Sequence, residues 1–294
     1  GDIDLYITGW VDSLDFFGNN YSQLLLGGDL TDEKFNGRFF LEDDLVNIDF
    51  TGLVDFEREL PAMDFNASIR EANLFAMNIS DRAEDLLLST DIKVLLDFND
   101  LDDWSGMIGL NNLEYREDGH DYSIDSLTVQ GDISPLAPDS LGVSSDWFDA
   151  TILGEYRLTA LPGLFSYLIY DFLGEDLKAE PFSGDAEQAF SFEVKFHQPG
   201  NLTQLFAPYL AMAEGTHLTL NVRNQSELVD LEADAGFVSL QGVRFSDWNL
   251  NVAKNGGPAR LEMLSDTAWL RMPEPDAGMD DALFIENYRL SLNG

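Results

Sequence analysis

Few residues of this 294-residue chain have the types and spacing that catalysis requires. The chain contains no cysteine, which excludes thiol catalysis, disulfide scaffolds and Cys-ligated zinc. His120, His197 and His217 lie far apart in sequence and do not form a His-x-x-x-His metal motif. Ser144 and Ser145 follow Gly-Val and precede Asp, which is not the Gly-x-Ser-x-Gly elbow of a hydrolase. We therefore predict a non-enzymatic protein without a cofactor or metal, although a triad assembled from distant residues stays open.

The run Asp97–Asp103 is rich in carboxylates and invites comparison with a calcium loop. An EF-hand takes oxygen ligands at positions 1, 3, 5 and 12 and glycine at position 6. Counted from Asp97, these positions hold Leu101 at 5, Asp102 at 6 and Ile108 at 12, so the pattern fails. We interpret the run as a charged connection between strands, with a weak surface calcium site as the alternative. Paired carboxylates also suit a glycosidase, but among 54 acidic residues some pair always fits.

The charge of the chain excludes one class of partner. The 54 Asp and Glu against 16 Lys and Arg give a net charge of −38. Nucleic acid is excluded because phosphate binding needs clustered Lys and Arg, and an anionic membrane surface is disfavoured for the same reason. At 45% apolar and 12% aromatic residues, the chain is far too rich in core-forming side chains to be disordered.

Apolar and polar residues alternate with a period of two along much of the chain. The segments are Val46–Phe50, Val54–Phe56, Phe148–Ile152, Phe192–Phe196, Leu218–Val222 and Val229–Ala233. This alternation is typical of antiparallel strands that are solvated on one face, and it explains much of the acidity as an outer surface.

Four segments place apolar residues three apart and then two apart. They are Leu110–Tyr115, Ile124–Val129, Phe245–Leu250 and Ile285–Leu290. A step of three reverses the facing of a period-two strand, so each Asp, Asn or Ser pair in these steps should mark a bulge or a tight turn. Ordinary turn chemistry explains any one of them, but four copies indicate a repeating strand unit.

Two segments break the period of two. Pro162–Leu173 predicts a helix with proline in its first turn and one apolar stripe, too short to span a bilayer. A second, shorter helix is expected to begin with Asn201 as its N-cap and to stop at Pro208. We divide the chain into a β segment over 1–160, a helix and connection over 161–184, and a continuing β segment over 185–294. It starts at Gly1 inside a strand-like pattern, so we expect a fragment whose membrane anchor lies outside it.

The apolar side of these strands must be covered. Three or four large apolar side chains per strand contribute about 1.5 to 3 kcal/mol each when buried. Two short helices cannot cover a sheet of a dozen strands, so the alternatives are a sandwich, a barrel, or a curled sheet with an apolar concavity. The expected wall is formed by Ile48, Phe50, Val54, Phe56, Ile152, Leu218, Leu220, Val222, Leu231, Leu240, Leu250 and Leu292. A closed sandwich core would use the same residues, and the five tryptophans are likewise expected in core or groove.

Several segments carry a resemblance to the translocation and assembly module TamB of Bacteroidetes-type bacteria. They are Leu45–Phe56, Pro61–Leu74, Tyr122–Val129, Phe148–Tyr156, Leu161–Pro162 and Asn201–Pro208. The resemblance covers most of the chain and rests on loose β-repeat patterns rather than catalytic signatures. The acidity of the chain is stronger than that family leads us to expect.

The resemblance implies an internal periplasmic segment of an AsmA-like bridge protein. Its fold would be a long antiparallel sheet curled into an apolar groove, the β-taco, with one or two short amphipathic helices. Such proteins are anchored in the inner membrane, contact an outer-membrane barrel partner, and are associated with phospholipid movement and outer-membrane protein assembly. The strongest alternative is an acidic β-sandwich acting as a surface adhesin or carbohydrate-binding module, and the third is a membrane β-barrel.

Overall fold

The computed structural model of the chain describes residues 5–16, 18–134, 138–164, 188–223, 228–271 and 283–293. These residues form strands far more than any other structure, which confirms the prediction of a mainly β chain. The strands are β1 Leu5–Phe16, β2 Asn19–Leu30, β3 Lys34–Glu42, β4 Asn47–Asp55, β5 Ala62–Asn73, β6 Leu87–Asp100, β7 Asp103–Glu117, β8 His120–Ile133, β9 Asp139–Ser145, β10 Phe148–Glu155, β11 Ala189–Phe196, β12 Leu210–Met212, β13 His217–Arg223, β14 Leu228–Leu240, β15 Val243–Asn255, β16 Arg260–Arg271 and β17 Leu283–Asn293.

The chain divides into two compact units. Unit 1 comprises residues 1–134 and 143–146, and unit 2 comprises residues 135–142 and 147–294. Strand β9 is shared between the units, and the other strands each belong to one of them.

In both units the strands pair antiparallel, mostly in sequence order. Unit 1 runs β1 to β8, each strand paired with the next. Unit 2 runs β10, β11, β13, β14, β15, β16 and β17, with the short β12 beside the end of β14. The long antiparallel sheet predicted from the alternation is thereby confirmed. Among the described residues of unit 1, β1 and β8 do not pair with each other, so this meander is open.

The carboxylate-rich run Asp97–Asp103 is a connection between strands only at Leu101 and Asp102, because Asp97–Asp100 belong to β6 and Asp103 begins β7. Strand β6 ends at Asp100, β7 begins at Asp103, and these two residues face each other across a tight turn. Arg58 pairs with Asp97 at 3.3 Å between Nη1 and Oδ1, which gives one of the carboxylates a cationic partner.

The described helical segments are short. Helix α1 spans Pro199–Phe206 with Gln198 as its N-cap, so the prediction of Asn201 as the cap is wrong. Proline at the first position suits a helix start because its φ is fixed and its missing N–H is not needed there. The predicted stop holds, since the helix ends just before Ala207 and Pro208. Residues 161–164 are helical, and the rest of the predicted helix Pro162–Leu173 lies outside the described residues.

Left-handed residues interrupt the long strands at the predicted steps of three. Asn112, Asp247 and Asn287 have φ values of 50°, 47° and 52°, and each lies inside one of the four segments. The remaining segment, Ile124–Val129, pairs with Leu110–Tyr115. Asp125 lies opposite Asn112, where the β7–β8 ladder skips one pair. Gln23 and Glu71 are left-handed too, and the β5–β6 register shifts beside Glu71. An L residue adopts this conformation at a cost, which Asn and Asp tolerate best.

A second set of irregular positions consists of glycines that face each other across strands. Gly28, Gly37 and Gly52 are directly opposite on β2, β3 and β4. Gly28 and Gly52 have φ of +155° and +151°, and a Cβ at Gly52 would lie 2.4 Å from the carbonyl oxygen of Asp64. Only glycine permits this conformation and this approach of neighbouring backbones.

One core cluster of unit 1 lies beside the left-handed residues Gln23 and Glu71. Tyr21, Leu41, Val46 and Ala72 are buried together and contact half-buried side chains from both sides of Gln23 and Glu71. Those half-buried neighbours are Leu24, Leu45, Ile48, Ile69, Leu74, Met77 and Leu88. Each reversal of facing therefore keeps apolar residues on one side of the sheet along the whole strand, which is what a step of three achieves.

Candidate functional site

The register of unit 1 gathers apolar residues on one side of its sheet. Residues directly opposite in paired antiparallel strands share a face, so each register row lies on one side. One row joins β2 to β8 and contains Leu26, Phe39, Phe50, Ala67, Ile92, Leu110 and Leu127. The rows beside it contribute Ile48, Ile69, Phe65, Val94, Ile108, Val129, Phe35, Val54, Met63 and Leu96. We call this surface the unit 1 apolar face.

Unit 2 has an equivalent surface. One row joins β10 to β17 and contains Ile152, Phe192, Leu220, Leu231, Val252, Leu261 and Leu292. The row beside it contains Ala150, Val194, Leu218, Ala233, Leu250, Met263 and Leu290. Val222 follows Leu220 at an interval of two and lies on the same side. We call the two rows together with Val222 the unit 2 apolar face.

Most of the wall residues expected from the sequence lie on these two faces. Ile48, Phe50 and Val54 share the unit 1 face. Ile152, Leu218, Leu220, Val222, Leu231, Leu250 and Leu292 share the unit 2 face. The remaining two lie at strand ends: Phe56 follows β4 and is 51% exposed, and Leu240 ends β14 and is 46% exposed.

Burial on the two faces is partial. Some members are buried and others in the same rows, such as Leu231, are half-buried. The buried members are Phe50, Val94, Leu96, Ile152, Val194, Leu220, Val222, Ala233 and Val252. The half-buried members also include Leu26, Phe39, Ala67, Ile92, Leu110, Leu127, Leu218, Leu250 and Leu261. A closed core would bury nearly all such side chains, so the faces retain apolar surface that another apolar group can contact.

Four phenylalanines form a cluster on the unit 1 apolar face, and the sequence analysis identified only Phe50 among them. Phe50 lies 5.0 Å from Phe39 and from Phe65, and 6.0 Å from Phe35, measured between ring centroids. Phe35 is four residues from the partner of Phe50 on β3, a spacing of about 13 Å along an extended strand. The two rings therefore lean towards each other across Gly37 and Gly52, which have no side chains in between. The missed signal was the register, which aligns Phe39 with Phe50.

Unit 2 repeats this arrangement with small residues instead of glycine. The rings of Phe245 on β15 and Tyr288 on β17 approach to 5.5 Å, although β16 lies between these strands. Ser265 and Ala268 on β16 are almost completely buried beneath them. Small residues on a central strand thus let large side chains of its neighbours meet above it.

The opposite side of the unit 1 sheet is polar and carries ion pairs. Arg38 donates to Asp49 at 3.0 Å, and Arg70 donates to Asp91 at 2.6 Å. Asp91 also accepts hydrogen bonds from Asn112 at 3.1 Å and from Ser68 at 2.8 Å. These hydrogen bonds, with that of Asn112 the largest cause, hold the pKa of Asp91 below its usual value. The acidic surface is therefore organised by its few cations.

In unit 2 the side opposite the apolar face carries paired histidines. His197 contacts Asp149 at 2.8 Å, and His217 contacts Glu193 at 2.9 Å. In the described part of the chain no group of three or more His, Asp or Glu side chains is arranged to hold a metal ion. These contacts join residues of neighbouring strands that are offset by two positions, since Glu193 faces Thr219 and Asp149 faces Lys195 in the register.

The tryptophans divide between the core and the surface. Trp104 and Trp147 are buried, and the Trp104 ring lies over Gly131. Trp248 and Trp269 are half-buried, whereas Trp10 is 68% exposed on β1, against the expectation of core or groove. Trp10 faces Leu25, and so it belongs to the side opposite Gly9 and Leu26.

Comparison of the chain with protein-family models, with curated proteins and with solved structures finds no match. No helix in the described part of the chain is both long enough and apolar enough to cross a bilayer.

Proposed function

We propose that the unit 1 and unit 2 apolar faces bind the acyl chains of phospholipids, as segments of a TamB/AsmA-like bridge protein. The observation that carries the proposal is the register, which places half-buried aliphatic and aromatic side chains in unbroken rows across many strands. Each of these rows crosses seven strands in six steps of about 4.8 Å, so it offers an apolar path of about 29 Å across the sheet.

The irregular positions support a curled sheet. In unit 1 left-handed residues lie on β2, β5 and β7 and glycines of positive φ on β2, β4 and β7, with Asn112 six positions from Gly106 on β7. Bulges and glycine kinks are the two devices that bend strands, and a strip of six residues is about 20 Å wide. Contacts such as Phe35 with Phe50 lie on the apolar side, so bending towards this side gives a trough with an apolar interior.

The proposed mechanism is physical. An acyl chain that leaves a bilayer would cost about 0.8 kcal/mol for each CH₂ exposed to water, and an apolar trough removes most of that cost. Dispersion contacts are weak individually and have no preferred direction, so a chain slides along the rows without crossing a deep minimum. The headgroup would remain in solvent. In the proposed full-length bridge protein, the segment would lie in the periplasm between an inner-membrane anchor and an outer-membrane barrel partner.

The test is native mass spectrometry and lipid extraction on the protein purified without detergent from a bacterial host. We expect co-purified phospholipid with the unaltered chain and its loss in a Leu127→Asp, Leu250→Asp double variant, because both leucines are half-buried on the apolar faces. Leu95→Asp with Leu153→Asp is the matched control, since these two leucines are exposed and alternate with buried Val94 and Ile152.

Circular dichroism confirms that each variant is folded before its lipid content is compared. Loss of lipid in the first pair alone supports the proposal. A lipid-free unaltered protein, or equal lipid in both pairs, contradicts it and favours the adhesin-like or carbohydrate-binding alternative, which glycan and calcium titrations would then examine.

A further inference from the structure

The end of helix α1 and the end of strand β14 meet in an exposed apolar tip of unit 2. The amide N–H of Gln241, in the turn between β14 and β15, donates to the carbonyl oxygen of Tyr209 at 3.1 Å. Phe206 and Tyr209 are 65% and 61% exposed, and Pro208 and Leu240 are exposed as well. We call these four exposed residues the unit 2 tip. Strands that pair at either edge of a sheet lie beside it and do not cover such a strand end.

The segments that form the unit 2 tip lack acidic residues, although the chain is strongly acidic. Residues 196–213 and 235–246 contain no Asp or Glu, whereas the whole chain has 54 in 294 residues. At that frequency the two segments together would contain about five. Their only Lys or Arg is Arg244. The tip can therefore approach a lipid headgroup without the repulsion that the acidic outer sides of the sheet would cause.

Arg244 lies close enough to the unit 2 tip to contact a lipid phosphate beside it. Its guanidinium carbon is 3.8 Å from the centroid of the Phe237 ring, and no carboxylate in the described part of the chain pairs with it. Phe237 precedes Leu240 by three residues, which is about 10 Å along a strand. The headgroup region on each side of a bilayer is about 5 to 8 Å thick. When the tip enters the acyl region, the guanidinium is therefore at the depth of the phosphates, which it binds through paired N–H donors.

The size of the unit 2 tip favours a bilayer over a protein partner. Large aromatic side chains bury about 150 to 250 Å² each, so the exposed parts of Phe206, Tyr209 and Leu240 amount to roughly 300 to 400 Å². A stable protein interface takes about 800 Å² from each partner. A bilayer needs no complementary surface, and tyrosine is enriched where hydrocarbon meets water.

We propose that the unit 2 tip inserts into the surface of a zwitterionic phospholipid bilayer, with Arg244 bound to a lipid phosphate. The net charge of −38 disfavours a bilayer rich in anionic lipids. The inference goes beyond acyl-chain binding by the two apolar faces and does not depend on it. The tip brings the chain to a bilayer, whereas the faces would hold an acyl chain that has left one.

A fluorophore at a single engineered cysteine tests insertion, since the chain has no cysteine of its own. With phosphatidylcholine vesicles, an environment-sensitive label at Leu240→Cys should shift its emission to the blue and brighten. The same label at Leu101→Cys should do neither. Leu101 is the matched control because it is 59% exposed in the turn between β6 and β7, where Asp100 and Asp102 flank it.

Vesicle flotation measures the affinity of variants whose fold circular dichroism has confirmed. Phe206→Ser with Tyr209→Ser should weaken binding to phosphatidylcholine vesicles at least about tenfold, because two exposed apolar side chains are lost. Leu95→Ser with Leu153→Ser should leave it unchanged, since these exposed leucines lie away from the tip. Arg244→Gln should weaken binding, and Arg244→Lys should restore part of it, because lysine binds phosphate as a point charge.

The proposal is wrong if the label at Leu240 does not respond to vesicles or if the serine variant of the tip floats as well as the unaltered protein. Tighter binding to vesicles that contain phosphatidylglycerol than to phosphatidylcholine alone would also overturn it. The Leu127→Asp, Leu250→Asp variant separates this proposal from acyl-chain binding. It should still float with vesicles even where its co-purified lipid is lost, and loss of flotation in this variant would assign the bilayer contact to the apolar faces instead.

Discussion

Asp91 joins three neighbouring strands on the outer side of the unit 1 sheet. Its carboxylate accepts from Asn112, Arg70 and Ser68, which lie on the two strands that flank β6. Arg70 also donates to the carbonyl oxygen of Thr90 at 3.1 Å. One carboxylate therefore holds three strands in register on the side of the sheet that packing does not fix.

We predict that Asp91→Asn lowers the free energy of unfolding by about 1 kcal/mol at pH 7, a value discounted for the partial exposure of the side chain. A carboxyl group with a lowered pKa stabilises the fold above its unfolded-state pKa of about 3.9 and loses that contribution as pH falls through the folded-state value. The difference between the variant and the unaltered protein should therefore disappear in acid. Urea unfolding at neutral and acidic pH measures it.

Asp64→Asn is the control for this prediction. Asp64 is an exposed carboxylate on the polar side of neighbouring β5, and we expect its substitution to change the unfolding free energy by less than about 0.5 kcal/mol. An Asp91→Asn effect that persists unchanged in acid would show that the asparagine disturbs packing rather than removing the charge.

At the scale of the strand, two kinds of irregular backbone position affect the shape of the sheet in different ways. Left-handed Asn and Asp residues reverse the facing of a strand, and glycines allow neighbouring backbones to approach. The reversals keep the apolar side chains of one strand on one side of the sheet, although the strands are up to 15 residues long.

We predict that Gly52→Ala destabilises unit 1 by about 2 to 4 kcal/mol, because the new Cβ would lie 2.4 Å from backbone atoms of Asp64 and Phe65 at a φ of +151°. Gly109→Ala is the matched control, since the atom nearest to its new Cβ is 3.9 Å away. That substitution should be neutral or slightly stabilising. Urea unfolding curves compare the two, and equal effects would contradict the assigned role of Gly52.

We also predict that Asn112→Val destabilises the protein by about 1 to 2 kcal/mol more than Asn112→Gly does. Both substitutions remove the hydrogen bond to Asp91, but only valine resists a φ of 50°. The difference between their thermal unfolding midpoints isolates the backbone term. If the two variants melt together, Asn112 is not held in the left-handed conformation in solution.

The strands could be predicted from the sequence, whereas their pairing could not. Alternation in segments such as Leu218–Val222 depends only on which side a residue faces, and that is a local property. The steps of three around Asn112, Asp247 and Asn287 were equally local, and a left-handed residue lies in each. A bulge, as predicted, is present beside Asn112 in the β6–β7 ladder, whereas the ladders keep their register across Asp247 and Asn287, so the predicted bulge or turn is wrong there. The alignment of Phe39 with Phe50 depends on two strands at once, so no single-strand pattern reveals it. Trp10 was misjudged because alternation does not distinguish a covered side of a strand from an exposed one.

For the whole molecule, the dominant property is the charge of −38. Like charges on the outer sides repel one another in the compact state, and the 16 basic residues can neutralise fewer than a third of the acids. Surface ion pairs such as Arg38 with Asp49 recover only part of that repulsion.

We therefore predict that the midpoint of thermal unfolding rises as NaCl increases from about 0.01 M to about 0.15 M, over which the screening length falls from about 30 Å to about 8 Å. A gain of 1 kcal/mol corresponds to a rise of about 2 to 4 °C in a protein of this size class. KCl at the same ionic strength should act equally. A midpoint that falls with salt would mean that the ion pairs outweigh the general repulsion.

The pairing of sequence neighbours in unit 1 also has a consequence for folding. A hairpin closes only a short loop, and each further strand pairs with the strand just before it in sequence. Contacting residues are therefore close in sequence, and the relative contact order is low for an all-β chain. The strands can therefore form in order from the first hairpin, without waiting for distant parts of the chain. Insertion or deletion of a whole hairpin would preserve the rest of the ladder, so lineages can change the length of such a protein two strands at a time.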